Sequence, residues 1–236
     1  LYAPGNMRIY GAVGGVDPLE SLTIGGVGAN LPDSVTFDGE VVVNGDLSID
    51  SQGTVIFQQA VRLLNGGNLT ITNADSVVFK AGVTLEGGGN FFIEGDEIDF
   101  QGSNESVVGT GLITLRPSTL SLAIEVGSPP NSVTSNTLNL DIAEIQRLAD
   151  GFSNIIIGHE TGGHATNGAG AVRVGAMNVE EQPTFRDNVE IYGGSITVAD
   201  YNTPLYTLLA YETLKLDAVN DIDIFNKIEA KSVTNT

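Results

Sequence analysis

Two histidines flanking a short polar loop are the residues whose types first suggest chemistry. The segment reads His159-Glu160-Thr161-Gly162-Gly163-His164. A zinc protease needs its two histidines at i and i+4 on one helical face, with the glutamate as base, whereas here they stand at i and i+5 with two glycines between them. The segment therefore predicts a polar turn, and a Zn²⁺ or Ni²⁺ loop site through His159, Glu160 and His164 is the alternative.

Two groups of carboxylates could also bind a divalent cation. They are Glu94, Asp96, Glu97 and Asp99 in one group, and Asp217, Asp221 and Asp223 in the other. Ca²⁺ takes oxygen ligands of this kind, but neither group follows the spacing of an EF-hand loop or of the glycine-rich calcium repeat. We therefore expect a solvated acidic edge at each place and no metal site, with Ca²⁺ as the one cofactor that either group could hold.

The overall charge narrows the classes of partner. Asp and Glu number 29 against 10 Lys and Arg, which gives a formal net charge of −19. Because phosphate contacts need a basic face, we expect no nucleic-acid partner. The chain has no cysteine, and no apolar run approaches the ~18 residues of a membrane helix, so we also expect no membrane span.

The elements that must position these side chains repeat every 22 residues. Gly45, Gly67, Gly89 and Gly111 share one register. The apolar pairs that follow them on the same step are Leu47/Ile49, Leu69/Ile71, Phe91/Ile93 and Ile113/Leu115. Two further families of alternating pairs start at Val35 and Val41, so each period holds three short strands. Gly, Asn or Asp stands between the strands, where we expect backbone with positive φ.

A fixed step of this kind predicts an all-β fold, a right-handed parallel β-helix whose coils hold about 22 residues. Leu47, Leu69, Phe91 and Ile113 should then form one internal column. A two-sheet sandwich or a string of small β domains is the alternative. We expect one solenoid domain over residues 1–236, with regular coils over 1–137, a helix-containing insertion over 138–158 and further coils over 159–236.

The insertion carries the signature of a helix over residues 141–150. Asp141 can cap it, Glu144 completes a capping box and Gly151 can end it. An apolar stripe formed by Ile142, Ile145 and Leu148 should cover the flank or end of the solenoid. We interpret residues 116–137 before it as one looser coil, and strand pairs such as Met177/Val179 should resume after it.

The two ends of the chain resemble each other. Residues 1–13 align without gaps on residues 216–228, an offset of 215. The positions that we expect to form an assembly interface are Met7, Ile9, Tyr10 and Val13 at one end and Ile222, Ile224, Phe225 and Ile228 at the other. This match favours one copy of a roughly 215-residue unit, either tandem in a longer polypeptide or stacked head to tail as a homo-oligomer. We interpret the start at Leu1, inside a strand pattern, as that of a mature or excised segment.

Three segments are similar to repeats of very large secreted bacterial adhesins, the filamentous-haemagglutinin-like, β-strand-repeat proteins. They are residues 1–22, with Ile9-Tyr10-Gly11-Ala12-Val13-Gly14-Gly15-Val16-Asp17-Pro18, residues 138–158, and residues 185–191. The resemblance spans nearly the whole chain, but its motifs are structural. It implies a stalk-forming β-helix that is secreted, extracellular or on the bacterial cell surface, with surface glycans as candidate partners.

An enzyme on this fold would need carboxylates beside a basic residue, or a pair of carboxylates, in a groove. The ten basic residues are scattered from Arg8 to Lys231 and show no such convergence. We therefore expect a non-enzymatic structural protein with no catalytic and no cofactor-binding residues. A carbohydrate-binding module and a β-helix polysaccharide-degrading enzyme are the alternatives.

Overall fold

Short strands of alternating apolar and polar residues stack in parallel to form the faces of a solenoid. The computed structural model describes residues 1–25, 30–128, 136–175, 183–198, 208–225 and 227–235. These residues form an all-β solenoid of about eight turns with a spacing of about 22 residues and one short helix. The predicted parallel β-helix is therefore confirmed, and the alternatives of a sandwich or separate small β domains are wrong.

The strands, numbered in chain order, fall into four stacked parallel sheets and one hairpin. Sheet 1 contains β1 (Gly5–Ile9), β3 (Pro32–Phe37), β6 (Thr54–Phe57), β9 (Ser76–Phe79) and β12 (Ile98–Phe100). Sheet 2 contains β4 (Val41–Val43), β7 (Val61–Leu63), β10 (Val83–Leu85) and β13 (Val107–Val108). Sheet 4 contains β16 (Thr137–Asp141), β15 (Ala123–Ser128), β20 (Val172–Val174), β23 (Ile196–Val198) and β25 (Ile222–Ile224).

Sheet 3 runs along most of the solenoid. It contains β2 (Leu22–Ile24), β5 (Leu47–Asp50), β8 (Leu69–Ala74), β11 (Phe91–Gly95), β14 (Leu112–Arg116), β17 (Asn154–Gly158), β22 (Val189–Gly193) and β24 (Leu208–Ala218). Two more strands, β21 (Thr184–Phe185) and β26 (Ile228–Asn235), pair with β24. The hairpin consists of β18 (Glu160–Thr161) and β19 (His164–Ala165).

The core is built from columns of side chains that hold the same position in successive coils. Leu69 lies between Leu47 and Phe91 in the sheet, and Phe91 pairs in turn with Ile113, so the predicted internal column is confirmed. All four side chains are buried. A second column consists of stacked phenylalanine rings, whose neighbouring centroids lie 4.9, 4.9 and 5.4 Å apart, at Phe37, Phe57, Phe79 and Phe100. Offset ring stacking adds to the burial of these large apolar surfaces.

The glycine register has a different cause from the predicted one. None of Gly45, Gly67, Gly89 and Gly111 is among the residues with positive φ. Instead, a Cβ atom on Gly67 would lie 2.0 Å from the carbonyl oxygen of Gly45, and one on Gly89 would lie 1.9 Å from that of Gly67. The glycines are therefore required because successive coils approach each other too closely for a side chain.

The regular strand order breaks after β14. Strand β15 pairs with β16 on one side and with β20 on the other, although β16 follows β15 in the chain. Strand β16 in turn packs beside β12, so sheet 4 continues the face of sheet 1. Residues 116–137, which we interpreted as one looser coil, contribute β15 to that face, and β16 follows as a second strand on it. Residues 129–135 of this segment lie outside the described residues. The strand predicted at Met177 and Val179 lies outside the described residues.

The predicted helix is confirmed but is shorter than expected. Helix α1 spans Ile142–Arg147, and Asp141 and Glu144 form the expected capping box. The helix stops because Leu148 returns to an extended conformation, φ −71° and ψ 117°, and pairs with Val107 of β13. The helix thereby takes the place of a strand above sheet 2. No helix in the described ranges is long and apolar enough to cross a membrane.

Candidate functional site

The histidine-containing segment forms a β-hairpin that stands out from the coils. Strands β18 and β19 are antiparallel, and the turn residues Gly162 and Gly163 have φ of 64° and 81°. Two consecutive residues with positive φ make the tight turn that matches the twist of a hairpin, and glycine adopts it without strain. The segment predicted as a polar turn is therefore a hairpin loop.

The two histidines lie in different environments. His159 is buried, and its burial, with the nearby charge of Arg116, lowers the pKa of its ring. His164 is 73% exposed at its side chain, and its Nδ1 lies 3.1 Å from Oδ2 of Asp217. Within the ranges that the structure covers, no three His, Asp or Glu side chains are arranged to share a metal ion. The first histidine is thus part of the core and the second is part of the hairpin's attachment.

Asp217 attaches the hairpin to sheet 3. Its side chain is only 5% exposed, and its two carboxylate oxygens accept hydrogen bonds from the backbone N–H of Ala165, at 2.8 Å, and from the ring of His164. The ammonium of Lys215 lies 3.5 Å from the same carboxylate and donates to the carbonyl oxygen of Gly163. A buried carboxylate is stable only when it is paired and hydrogen-bonded in this way.

The attachment continues into a small polar network on the outer face of sheet 3. Lys215 also donates to the hydroxyl of Tyr192 at 3.2 Å, and its ammonium lies 4.8 Å from the centre of that ring. The Tyr192 hydroxyl donates to the carboxylate of Glu190, and burial together with this carboxylate raises the pKa of Tyr192. We interpret the network as a clasp that fixes the hairpin across β22 and β24.

The first group of acidic candidates does not form one cluster, because Glu94 and Asp96 lie apart from Glu97 and Asp99 in their contacts. Glu94 forms an ion pair with Arg116 at 2.7 Å, and Asp96 accepts hydrogen bonds from Ser118 and Thr119. Asp99 accepts one from Gln101 at 2.5 Å. Protein donors therefore already occupy carboxylate oxygens that a bound cation would need as ligands.

Asp221 and Asp223 lie apart from Asp217, at the C-terminal end of the solenoid. Asp223 is the middle residue of β25 and pairs in register with Thr197 of β23. Both carboxylates are exposed, whereas Asp217 is buried under the hairpin. The structure thus brings Asp217 to the hairpin and leaves the other two as an acidic patch on the last coil.

One group of titratable side chains was not predicted from the sequence. Glu97, Asp99, Asp141 and Glu144 face one another between β12 and helix α1, a group that we call the acidic seam. Burial raises the pKa of Glu144 to about 9, and burial with the neighbouring carboxylates raises the pKa of Glu97 to about 7. The signal in the sequence was the capping box, because a capping glutamate in a helix that replaces a core strand is drawn into the interior.

A shallow polar groove lies on the outer face of sheet 3. Its floor is a side-chain ladder in which Asp46 accepts from the backbone N–H of Asn68, at 2.8 Å, and Asn68 accepts from that of Asn90, at 3.0 Å. The rest of its lining comprises Ser48, Thr70, Phe91, Phe92, Leu112 and Thr114. Hydroxyls and one half-exposed ring therefore line a face that repeats with the coil.

Large exposed apolar side chains are concentrated at the two ends of the solenoid. Among the described residues, the twelve with such exposure are Leu1, Tyr2, Tyr10, Val16, Leu19, Val108, Leu120, Tyr211, Val219, Ile224, Phe225 and Val233. Five of them precede residue 20 and five follow residue 210. Tyr10 is 76% exposed and Phe225 is 74% exposed. Apolar surface gathered in this way marks an interaction site more often than scattered exposure does.

The end coils also present unpaired strand edges. In the described part of the chain, β1 pairs only with β3, and β25 pairs only with β23. Met7, Ile9 and Val13 at one end, and Ile222 and Ile228 at the other, are partly buried and pack against the core. Both ends therefore expose the cross-section of the core together with free backbone groups, a ready template for another strand.

Comparison with known proteins adds no relative. No family model, curated protein or solved structure matches the chain. The structure supports a β-helix repeat protein, and the similarity to haemagglutinin-like adhesins rests on the sequence motifs alone. The end coils, rather than a pocket with converging side chains, are the feature that leads furthest towards a function.

Proposed function

We propose that the chain is a non-enzymatic structural segment of an extracellular bacterial filament or adhesin stalk, in which solenoids follow one another head to tail. The single observation that carries this proposal is the pair of open ends. Among the described residues, each end presents a parallel strand that is paired on one side only, together with exposed apolar side chains. A further coil, from another copy or from the continuing polypeptide, would cover both, and a head-to-tail contact of this kind propagates without closing.

The sides of the solenoid support the same role. The charge of −19 is carried by a long molecule whose core residues are stacked in continuous columns. Like charges along the sides of neighbouring filaments repel each other, which favours growth along the axis over lateral aggregation. A rod that grows only at its ends is what a stalk requires.

The polar clusters support a structural role over catalysis. Asp217, Glu94 and Asp96 each accept bonds from protein donors that fix loops or neighbouring coils. Catalytic carboxylates instead converge on a space that a substrate can enter. We place the chain outside the cell because its motifs resemble secreted adhesin repeats, and protease treatment of intact cells that express the native gene would test that location.

The experiment for assembly uses the purified chain at rising concentration, in light scattering and electron microscopy. We expect rods of one solenoid width whose length increases with concentration. Ile224→Asp places a charge on the exposed end of the last coil and should shorten the rods, whereas Val108→Asp, at an exposed mid-solenoid position, should not. Particles that stay one solenoid long, both as the single chain and as two copies fused in tandem, would contradict the proposal.

The polar groove on sheet 3 favours a second candidate function, glycan binding. Ser48, Thr70 and Thr114 offer hydroxyls one coil or two coils apart, and Phe92 offers a ring beside them. Sugar rings stack on aromatic side chains and bond to such hydroxyls. Binding to immobilised bacterial or host glycans that Phe92→Ala abolishes would support this candidate, and equal binding by the variant would oppose it.

A further inference from the structure

The two open ends have complementary backbone edges. At the C-terminal end, the backbone N–H of Ile196 donates to the carbonyl oxygen of Asp221, and that of Phe225 donates to the carbonyl oxygen of Val198. The backbone groups of Asp221 and Phe225 therefore face inward, towards β23. Since backbone groups alternate along a strand, Ile222 and Ile224 point their N–H and C=O away from the solenoid. At the other end, the N–H of Asp38 donates to Ile9.

The same alternation orients the edge of β1. Because Ile9 faces inward to β3, the N–H and C=O groups of Arg8 and Tyr10 point away from the solenoid. In this fold, a residue whose backbone groups face the next strand bonds to the two residues on either side of its Cα partner in that strand. Ile196, for example, has Ile222 as its partner and donates to Asp221, the residue before it. Strand β1 of a second copy, with Met7 beside Ile222, would continue that ladder with every donor matched to an acceptor.

We infer that a second copy of this chain docks in one register, with its β1 added to β25 so that Met7 lies on Ile222, Arg8 on Asp223, Ile9 on Ile224 and Tyr10 on Phe225. This inference rests on the proposed head-to-tail assembly and specifies its interface. Each pair holds the same coil position at the offset of 215 residues. Apolar residues meet apolar residues, and the two most exposed aromatic rings of the end coils stack on each other.

The charges on this face also match. Arg8 is the one charged residue of β1, and its guanidinium is 56% exposed while Nε and Nη2 bond to Asp38. Asp221 and Asp223 are the charged residues on the opposing edge, and both are exposed. In the inferred register Arg8 lies between the carboxylates of Asp38 and Asp223, in a molecule whose like charges otherwise oppose association.

On sheet 3, strand β26 already fills part of the coil that a second copy would add, because Asn235 pairs with Leu216. Leu1 holds the coil position of Leu216, since Tyr2 pairs with Gly25 next to Ile24. Leu1 of the second copy and Asn235 would therefore compete for one position. Docking requires one of these two residues to move aside on sheet 3, while the pairing of β1 on β25 is unaffected.

Disulfide trapping tests the register, because the chain has no cysteine of its own. Asn6 and Asp221 are both exposed and would be neighbours across the junction, about 4.8 Å apart at Cα, within the range for a disulfide. In one molecule they lie at opposite ends of the solenoid. The double variant N6C/D221C should therefore form a ladder of covalent multimers on oxidation, whereas each single variant can reach only a dimer. N6C/D223C, two residues out of register, should give no ladder.

A charge substitution tests the same junction without a cross-link. Asp223→Lys should raise the concentration needed for half-maximal assembly at least tenfold, because it places two cations side by side. Asp75→Lys is the matched control, since Asp75 is exposed in the middle of the solenoid and the change in net charge is the same. Lower repulsion between copies should make that control assemble as readily as the unmodified chain or more so.

The outcomes separate the inference from the proposed function. If the unmodified chain assembles but N6C/D221C gives no ladder, or if Asp223→Lys assembles like Asp75→Lys, the register is wrong and the filament proposal stands. If the unmodified chain and its tandem fusion both stay one solenoid long, the filament proposal fails and the inference fails with it. Circular dichroism of each variant shows that the fold is retained.

Discussion

At the scale of single residues, adding a methyl group at Gly67 tests how closely the coils are stacked. Gly67→Ala would put a Cβ atom 2.0 Å from the carbonyl oxygen of Gly45, so the backbone of one coil must shift. We expect a loss of about 1–3 kcal/mol in the free energy of unfolding, or more, as for other overpacked cores. Chemical denaturation monitored by circular dichroism gives this value.

Gly11→Ala is the control for that substitution. Gly11 has ordinary φ, and a Cβ atom there would meet no heavy atom within 4 Å, so its effect should stay within about 0.5 kcal/mol. Equal losses of stability at positions 11 and 67 would show that the backbone preferences of glycine and alanine account for the effect. Close approach of the coils would then not explain why glycine recurs every 22 residues in this chain.

The acidic seam makes stability depend on pH. Burial raises the pKa of Glu144 from an ordinary value of 4.5 to about 9, so the folded state holds a proton that the unfolded state releases. The stability contributed by this proton is fully present below pH 4.5 and is lost as pH rises towards 9, by at most about 1.4 kcal/mol per pH unit. Glu144→Gln keeps the capping acceptor but cannot ionise.

We therefore expect the variant and the unmodified chain to be about equally stable at pH 5 and the variant to be the more stable at pH 8. Denaturant titrations at both values measure the difference. Glu40→Gln, at an exposed position, shows the effect of removing a surface charge. A Glu144→Gln variant that is less stable at pH 8 would mean that the carboxylate is ionised and needed in its charged form.

At the scale of elements, the hairpin depends on one buried carboxylate. Asp217 accepts from Ala165 and His164 and lies beside Lys215, so Asp217→Ala would leave these donors without their acceptor. We expect the hairpin to detach and limited proteolysis around Gly162 and Gly163 to become several times faster, while the coils stay intact. The partly buried backbone N–H of Ala165, which loses its acceptor, accounts for most of the effect.

His164→Ala serves as the comparison for the hairpin. The imidazole is mostly exposed, and without it Asp217 keeps the backbone N–H of Ala165 and the ammonium of Lys215 as partners, so this variant should be cleaved at nearly the rate of the unmodified chain. If the hairpin is cleaved equally fast in both variants, the contact of Asp217 with the His164 ring holds the hairpin, and the hydrogen bond from the Ala165 backbone to Asp217 does not.

The elements also show what the sequence could predict and where it stopped. The column through Leu69 followed from period alone, because side chains of a strand alternate and coils stack in register. Helix α1 followed from the capping box of Asp141 and Glu144. The position of β16 between β12 and β15 could not be predicted. Strands β15 and β16 both alternate apolar and polar residues, and this alternation does not specify which of them stacks on β12. The clasp at Asp217 was missed for a related reason, because its partners lie 52 and 53 residues away.

At the scale of the whole molecule, hydrogen exchange should fall steeply from the ends to the middle. Coils in the middle, such as those with β8 and β11, are paired on both sides, whereas β1 and β25 are paired on one side. In a solenoid each coil is stabilised mainly by its neighbours, so the end coils open first. At low concentration we therefore expect the fastest strand amides in β1 and β25.

Assembly should then change exchange at a few alternate amides. The N–H groups of Ile222 and Ile224 in β25, of Arg8 in β1 and of the adjacent Tyr10 face away from the solenoid in the single chain. Docking in the inferred register gives each of them a ladder partner. Their exchange should slow by tenfold or more at concentrations where rods form, while the amides of β8 and β11 stay as they were. Protection that appears instead along the outer face of sheet 3 would mean that rods associate side by side, and would contradict growth by addition of coil to coil.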